Sequence, residues 1–251
     1  GKCLSGAFGG VEDMSRAKVQ AHYDEVAGVY DQRYDLRQGR LYHQHLSGLV
    51  LDRLKSRGFL LDLGCGTGIF IEHYNKTGEE AIGLDISPGM VRMGRLRCPD
   101  SEFLVGTADV LPFEDETFDS IASLLAFTYL NDPEAMLRES YRILKPGGQI
   151  AVCTLSWNTL TCMVPFFYRL GERLGFNKIG VGDFGEHYYT GKEMEDMFSK
   201  AGFVDVQSAR CSFAHYTLSP RLFSFAQRFE PFIEAHIPYL AFNVCVSGKK
   251  E

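Results

Sequence analysis

The chain lacks any run approaching the roughly 18 consecutive apolar residues that a bilayer-crossing helix requires. Its densest stretch, Ile121 to Leu130, is interrupted by polar side chains, so no membrane span is expected. It also lacks a Cys-x-x-Cys pair. The cysteines, Cys3, Cys65, Cys98, Cys153, Cys162, Cys211 and Cys245, are odd in number and scattered. They encode neither a disulfide framework nor a local zinc site, and most of them read as buried thiols. His43 and His45 point to different faces of a helix, so no metal site is expected from them either. There is no basic excess: 26 Lys and Arg stand against 32 Asp and Glu, a formal charge of −6 that repels a phosphate backbone, and nucleic acid is not an expected partner. Residues 1–10 carry no basic region followed by an apolar core, as a signal peptide would, and a cytoplasmic location is the expectation. No internal repeat or low-complexity segment is present.

What the chain does have is an ordinary globular composition. At 251 residues, 45% hydrophobic and 23% charged, it can bury a core, which excludes disorder, coiled coil and collagen-like structure. Val19, Tyr23, Val26 and Tyr30 recur at helical spacing, and Leu46, Leu49, Val50 and Leu54 repeat the pattern beyond a basic stretch containing Arg33, Arg37 and Arg40. From Phe59 the pattern changes to short apolar runs, each followed by a turn or a helical segment, which reads as βαβ. Ser87-Pro88 and Asp132-Pro133 supply N-caps with a proline at the first helical position, and Thr190 with Glu193 has capping-box spacing. Lys145-Pro146-Gly147-Gly148 is expected to break the chain before a strand, and the last strand to run from Leu240 to Ser247. The count is seven strands in a single α/β domain. Its core covers about 40–155 and 190–251, and a helical, aromatic cap comes from 1–39, 156–189 and 213–239.

The most informative segment is Leu60-Leu61-Asp62-Leu63-Gly64-Cys65-Gly66-Thr67-Gly68, a buried strand ending in a glycine turn that enters a helix. Such a turn lets backbone approach a ligand at the carboxyl edge of a parallel sheet. A dinucleotide fingerprint would place its third glycine one residue later, where Ile69 stands, which disfavours a nicotinamide or flavin site. Asp85 ends the next strand, in Ile82-Gly83-Leu84-Asp85-Ile86-Ser87, and Asp109 lies in Gly106-Thr107-Ala108-Asp109-Val110-Leu111-Pro112-Phe113.

Taken in order, these segments resemble the motifs of class I S-adenosylmethionine-dependent methyltransferases over about 59–155. The resemblance implies a Rossmann-like, seven-stranded, mostly parallel sheet with helices on both faces, and S-adenosylmethionine as cofactor. It implies that Asp62 helps to orient the methionine ammonium or the turn, that Gly64, Cys65 and Gly66 give backbone access, and that Asp85, followed by Ile86, holds the ribose hydroxyls. Asp109 would bond the adenine amino group, with Ala108, Val110 and Leu124 among its neighbours. Met90 either faces the adenine or is an ordinary core methionine. Tyr30 either closes over the cofactor or packs as core. After the fourth strand, Ser123-Leu124-Leu125-Ala126 stands where amino-group methylases of nucleobases resemble an Asn/Asp-Pro-Pro-Tyr pattern, and the segment is more similar to the small-molecule branch that includes quinone methyltransferases. Thr128-Tyr129 replaces a His-His pair frequent there. The acceptor expected is a small, hydrophobic or aromatic molecule, a homodimer is possible, and a non-catalytic cofactor-binding protein of the same fold is the alternative. His187, in Gly185-Glu186-His187-Tyr188-Tyr189, is the candidate for a catalytic or acceptor-contacting residue.

Overall fold

The computed structural model describes residues 16–55, 58–157 and 187–251. The expectations placed on 1–10 and on most of the first insertion, 158–186, lie outside the described residues. The short apolar runs form the strands: β1 (Leu60–Leu63), β2 (Ala81–Asp85), β3 (Glu102–Val105), β4 (Phe118–Leu124), β5 (Leu144–Leu155), β6 (Val204–Cys211) and β7 (Asn243–Lys249). They make one sheet in the order β3-β2-β1-β4-β5-β7-β6. All neighbours from β3 to β5 are parallel, and β7 alone runs antiparallel, to both β5 and β6. The order reverses between β1 and β4. Both carry crossovers leading away in opposite directions there, which opens a crevice at their carboxyl ends.

Eight helices are described: α1 (Arg16–Val26), α2 (Gln32–Asp35), α3 (Arg37–Arg53), α4 (Ile69–Asn75), α5 (Pro88–Arg97), α6 (Pro133–Ile143), α7 (Gly191–Lys200) and α8 (Pro220–His236). One face of the sheet is covered by Leu46 and Val50 of α3, Phe70 and Tyr74 of α4 and Phe223 of α8. The other face takes Met136 and Leu137 of α6 and Met194 and Phe198 of α7. Burial on both sides explains why β1 has no exposed position. The expected caps form: Ser87 accepts from the Met90 N–H, Asp132 from the Ala135 N–H, and Thr190 and Glu193 close a reciprocal capping box.

Two local expectations are corrected. Lys145 to Gly148 do not separate a helix from a strand. β5 already begins at Leu144, paired with Phe118, and the next pair is Ser120 with Gln149, so four residues bulge out of the ladder, with Gly147 at a φ of +82°. The last strand starts at Asn243 rather than Leu240, because Pro238 opens a one-turn 3-10 helix over Pro238–Leu240. The stretch 213–239 brings Tyr216 against Tyr34, 6.2 Å between ring centroids. It supplies α8, which lies on α3, where His45 bonds Glu234 across 3.1 Å.

Candidate functional site

The cleft is built on the turn that follows β1. Gly64, Gly66 and Gly68 all adopt positive φ, 75°, 51° and 78°. At Gly64 a Cβ would stand 2.1 Å from the Ala126 Cβ, whereas at Gly66 it would meet nothing within 4 Å. Glycine at the first position is therefore required by packing, and at the second it leaves room in front of bare backbone. Gly64 and Cys65 both donate their N–H to the Leu84 carbonyl, at 2.8 and 3.1 Å, which fastens the turn to the end of β2.

Asp85 completes that fastening. Its Oδ2 accepts from the Gly66 N–H at 2.8 Å and its Oδ1 from the Ser87 N–H at 2.9 Å. Burial pushes its carboxyl above the usual carboxylate range, and these N–H bonds pull it back. Asp62 is buried with its Oδ1 lacking any hydrogen-bond partner. Burial, reinforced by the charge of Asp85, pushes the Asp62 carboxyl up to about 8.

The cleft holds about 970 Å³ of space, part of it open to solvent. Its roof comes from α1 and the turn after it: Arg16, Val19, Tyr23 and Tyr30, with Tyr129 set edge-on to Tyr23 at 5.7 Å. Asp24 positions this roof by accepting from the Ser87 hydroxyl at 2.6 Å and the Gly89 N–H at 2.8 Å, at the start of α5. Of the residues expected from sequence, Tyr30, Gly64, Gly66 and Asp85 line the cleft. So do Ile86, Met90, Ala108, Asp109 and Leu124. The Asp109 carboxylate is ion-paired with Arg16. A smaller cavity of about 400 Å³ shares Tyr30, Gly64 and Gly66 with the cleft and reaches Asp62, Cys65 and His43. The His43 imidazole is held down to about 3, by burial first and by His73 and Arg97 next, so it is neutral.

Two expected residues stand elsewhere. Val110 is 70% exposed and lines neither cavity, since the turn after Asp109 carries its side chain outward. His187 is exposed and also lines neither; its backbone N–H donates to the Thr128 carbonyl at 3.1 Å, and the Thr128 hydroxyl donates to the His187 carbonyl at 2.6 Å. The backbone of His187 thus acts as a clip on the segment after β4. Conversely, Arg16, Val19 and Tyr129 line the cleft without having been singled out as binding residues. Only the helical periodicity of α1 hinted at Val19, and nothing at Arg16, because the position of both depends on the remote contact of Asp24 with α5. One His and two Glu also converge: His45 with Glu230 and Glu234. Their oxygens already accept backbone N–H groups, Glu234 from Ser212 at 2.7 Å and Glu230 from Ala214 at 3.1 Å, so the cluster ties α8 and the chain after β6 to α3.

Residues 61–152 match the family model described as a methyltransferase domain. A demethylmenaquinone methyltransferase of Streptomyces griseus is 34% identical over 158 residues, 59% of this chain and 68% of that protein. Among the first curated relatives matched, the chain spans 60% to 68% of their length. A solved S-adenosylmethionine-dependent methyltransferase of Thermotoga maritima superposes with a TM-score of 0.65 at 24% identity, covering 92% of this chain and 99% of that one. The [4+2]-cyclase SpnF shares the fold as well, with a TM-score of 0.67 at 18% identity over 94% of this chain and 96% of that one. A seven-stranded sheet of this order with a glycine turn after its first strand defines a class I methyltransferase fold. The chain belongs to the S-adenosylmethionine-dependent methyltransferase family.

Proposed function

We propose that this chain transfers the methyl group of S-adenosylmethionine to a small organic acceptor, mainly hydrophobic or aromatic. The observation that carries the reading is the unpartnered Oδ1 of buried Asp62, in the smaller cavity that it lines together with the open backbone of Gly66. A buried carboxylate oxygen without a partner is costly unless a ligand supplies one, and an ammonium is the fitting group. Asp85 would take the ribose hydroxyls, because each of its oxygens keeps a lone pair beyond the backbone bond it accepts. Asp109 would exchange Arg16 for the adenine amino group, with Met90 and Leu124 beside the ring. When bound, S-adenosylmethionine supplies a methyl group activated by its sulfonium. What the chain adds is alignment and exclusion of water, for which the aromatic roof of Tyr23, Tyr30 and Tyr129 is suited. The reading does not call on His187 as a base. The apolar roof and the quinone acceptor in the relative's name support an aromatic or hydrophobic substrate. A cytoplasmic location belongs to the same reading, supported by five buried free thiols among the described residues.

The test is a melting experiment followed by a transfer assay. S-adenosylmethionine and S-adenosylhomocysteine should raise the melting temperature, since a ligand at 100 times its Kd stabilises by about 2.7 kcal/mol, whereas NAD should not. Equal shifts with NAD, or none with either sulfur compound, overturn the cofactor assignment. Labelled methyl should then pass to members of a panel of phenols and quinols. Binding without transfer to any acceptor would favour the alternative, a non-catalytic binding protein of the same fold.

A further inference from the structure

Arg33 sits in α2, at the edge of the aromatic roof, and differs from the other arginines that face this part of the molecule. Arg16 is paired with Asp109, and Arg97 with Asp31 and Glu72. Arg33 is half-buried and has no carboxylate within ion-pair distance among the described side chains. Of the described acids near it along the chain, Asp24 is committed to Ser87 and Gly89 and Asp31 to Thr67 and Arg97, while Glu25 is exposed and acts on His22. Its guanidinium carbon lies 4.1 Å from the centroid of the Tyr30 ring. The ionisable groups that act on it most strongly are four tyrosines, Tyr30, Tyr34, Tyr216 and Tyr23. These rings form a connected wall: Tyr23 to Tyr30 is 6.0 Å between centroids, Tyr30 to Tyr34 is 6.1 Å, and Tyr34 to Tyr216 is 6.2 Å. They come from α1, the turn after it, α2 and the stretch preceding α8.

A cation stacked on one aromatic face and ringed by phenols is stabilised but not neutralised. Burial pushes the hydroxyls of Tyr30 and Tyr34 upward, so both stay uncharged. Burial, followed by Arg33 itself, lowers His22 against an opposing effect of Glu25, so the imidazole adds no second positive charge. The guanidinium carries five N–H donors in a planar fork suited to a carboxylate or phosphate, a geometry that a ring contact does not satisfy. Tyr30 lines both the cleft and the smaller cavity, so this cation lies one ring away from where the cofactor and acceptor would meet.

We propose that Arg33, with Tyr23, Tyr30, Tyr34 and Tyr216, forms a subsite for the anionic head, carboxylate or phosphate, of an acceptor whose aromatic or apolar body lies against the roof. The assignment deepens the methyltransferase reading and rests on it. It makes the acceptor amphipathic: rings read by tyrosines, charge read by one arginine.

Isothermal titration of the whole chain tests it, with and without saturating S-adenosylhomocysteine. The probes are 2-naphthoate and 2-naphthyl phosphate, each against its neutral counterpart, 2-naphthamide and 2-naphthol. At least one anion should bind tenfold or more tightly than its counterpart. Arg33→Gln should abolish that preference and leave the affinity for S-adenosylhomocysteine within twofold, while Arg33→Lys should keep part of the preference, which separates lost charge from disturbed packing. Absence of anion preference in the unaltered chain, or its persistence in Arg33→Gln, overturns the subsite. A tenfold loss of S-adenosylhomocysteine affinity in Arg33→Gln that vanishes with the decarboxylated analogue also overturns it, by assigning the arginine to the cofactor's own carboxylate. Failure of the methyltransferase reading is seen separately, as no S-adenosylhomocysteine binding by the unaltered chain, and the anion preference measured without that ligand still decides the subsite.

Discussion

Asp62 carries the most unusual electrostatics among the site residues. With its carboxyl raised to about 8, it is protonated at neutral pH in the free protein and ionised in the unfolded chain. Its contribution to stability is therefore fully present below pH 4 and declines as pH rises through about 8. An incoming ammonium reverses the preference and expels the proton. Binding of S-adenosylhomocysteine near pH 7 should thus release a proton, read as a dependence of calorimetric enthalpy on the buffer's ionisation heat, and affinity should climb toward pH 8. Asp62→Asn should release none and bind roughly tenfold more weakly, the scale of a lost hydrogen bond to a charged group. If the substituted protein releases the same proton, the source is another group. For Asp85→Ala the expected loss of cofactor affinity is about 1.5 to 3 kcal/mol, for the charge-assisted bonds removed. Unchanged affinity by titration would reject its ribose role.

At the level of elements, what could be read from sequence follows how local each determinant is. The strand-turn-helix units from β1 to β5 were legible because each writes its own signals: an apolar run, a glycine turn, an N-cap with proline. Gly64, Gly66, Asp85 and Asp109 line the cleft, and Asp62 the smaller cavity, on these units or just beyond them. The bulge at Lys145 to Gly148 was misread because a Pro-Gly-Gly run marks a bend without saying whether the ladder resumes across it. The roof was only half legible: α1 shows its period, yet the docking that brings Arg16 and Val19 over the cleft runs through Asp24 to a helix far along the chain. The same holds for the tie between α3 and α8, whose partners no sequence spacing links. His45 is raised above its usual value by its bond to Glu234, so the tie adds stability fully below pH 6.5 and loses it as pH rises through the higher folded value. Melts of the free protein across pH 6 to 9 should show this decline, and His45→Gln should flatten that part of it. An identical profile in the variant would mean that the tie is silent.

For the whole molecule, the second face of α8 is the feature that the single-chain fold leaves without a role. Phe223 and Ile233 turn inward, while Leu222, Phe225, Phe229 and Phe232 are exposed. Exposed apolar area of this kind marks association surfaces more often than chance. Pairing of two copies through it predicts a solution mass of twice 28.2 kDa by light scattering, reduced to 28.2 kDa by Phe225→Glu with Phe229→Glu. A mass of 28.2 kDa before substitution removes the dimer.

The reversed strand at the sheet's edge has a practical side. Because β7 runs against β5, Lys249 pairs with Gln149, just past the bulge of β5, and the Lys250 ammonium donates to the Leu144 carbonyl at 2.8 Å. The chain thus leaves the sheet at the end remote from the cleft. A tether attached beyond residue 251 would hold the protein by its floor, with the mouth turned to the bulk liquid. Molecules fixed to a sensor chip in this way should bind the cofactor as they do when free, whereas clipping off the last two residues should loosen the floor before it touches the mouth.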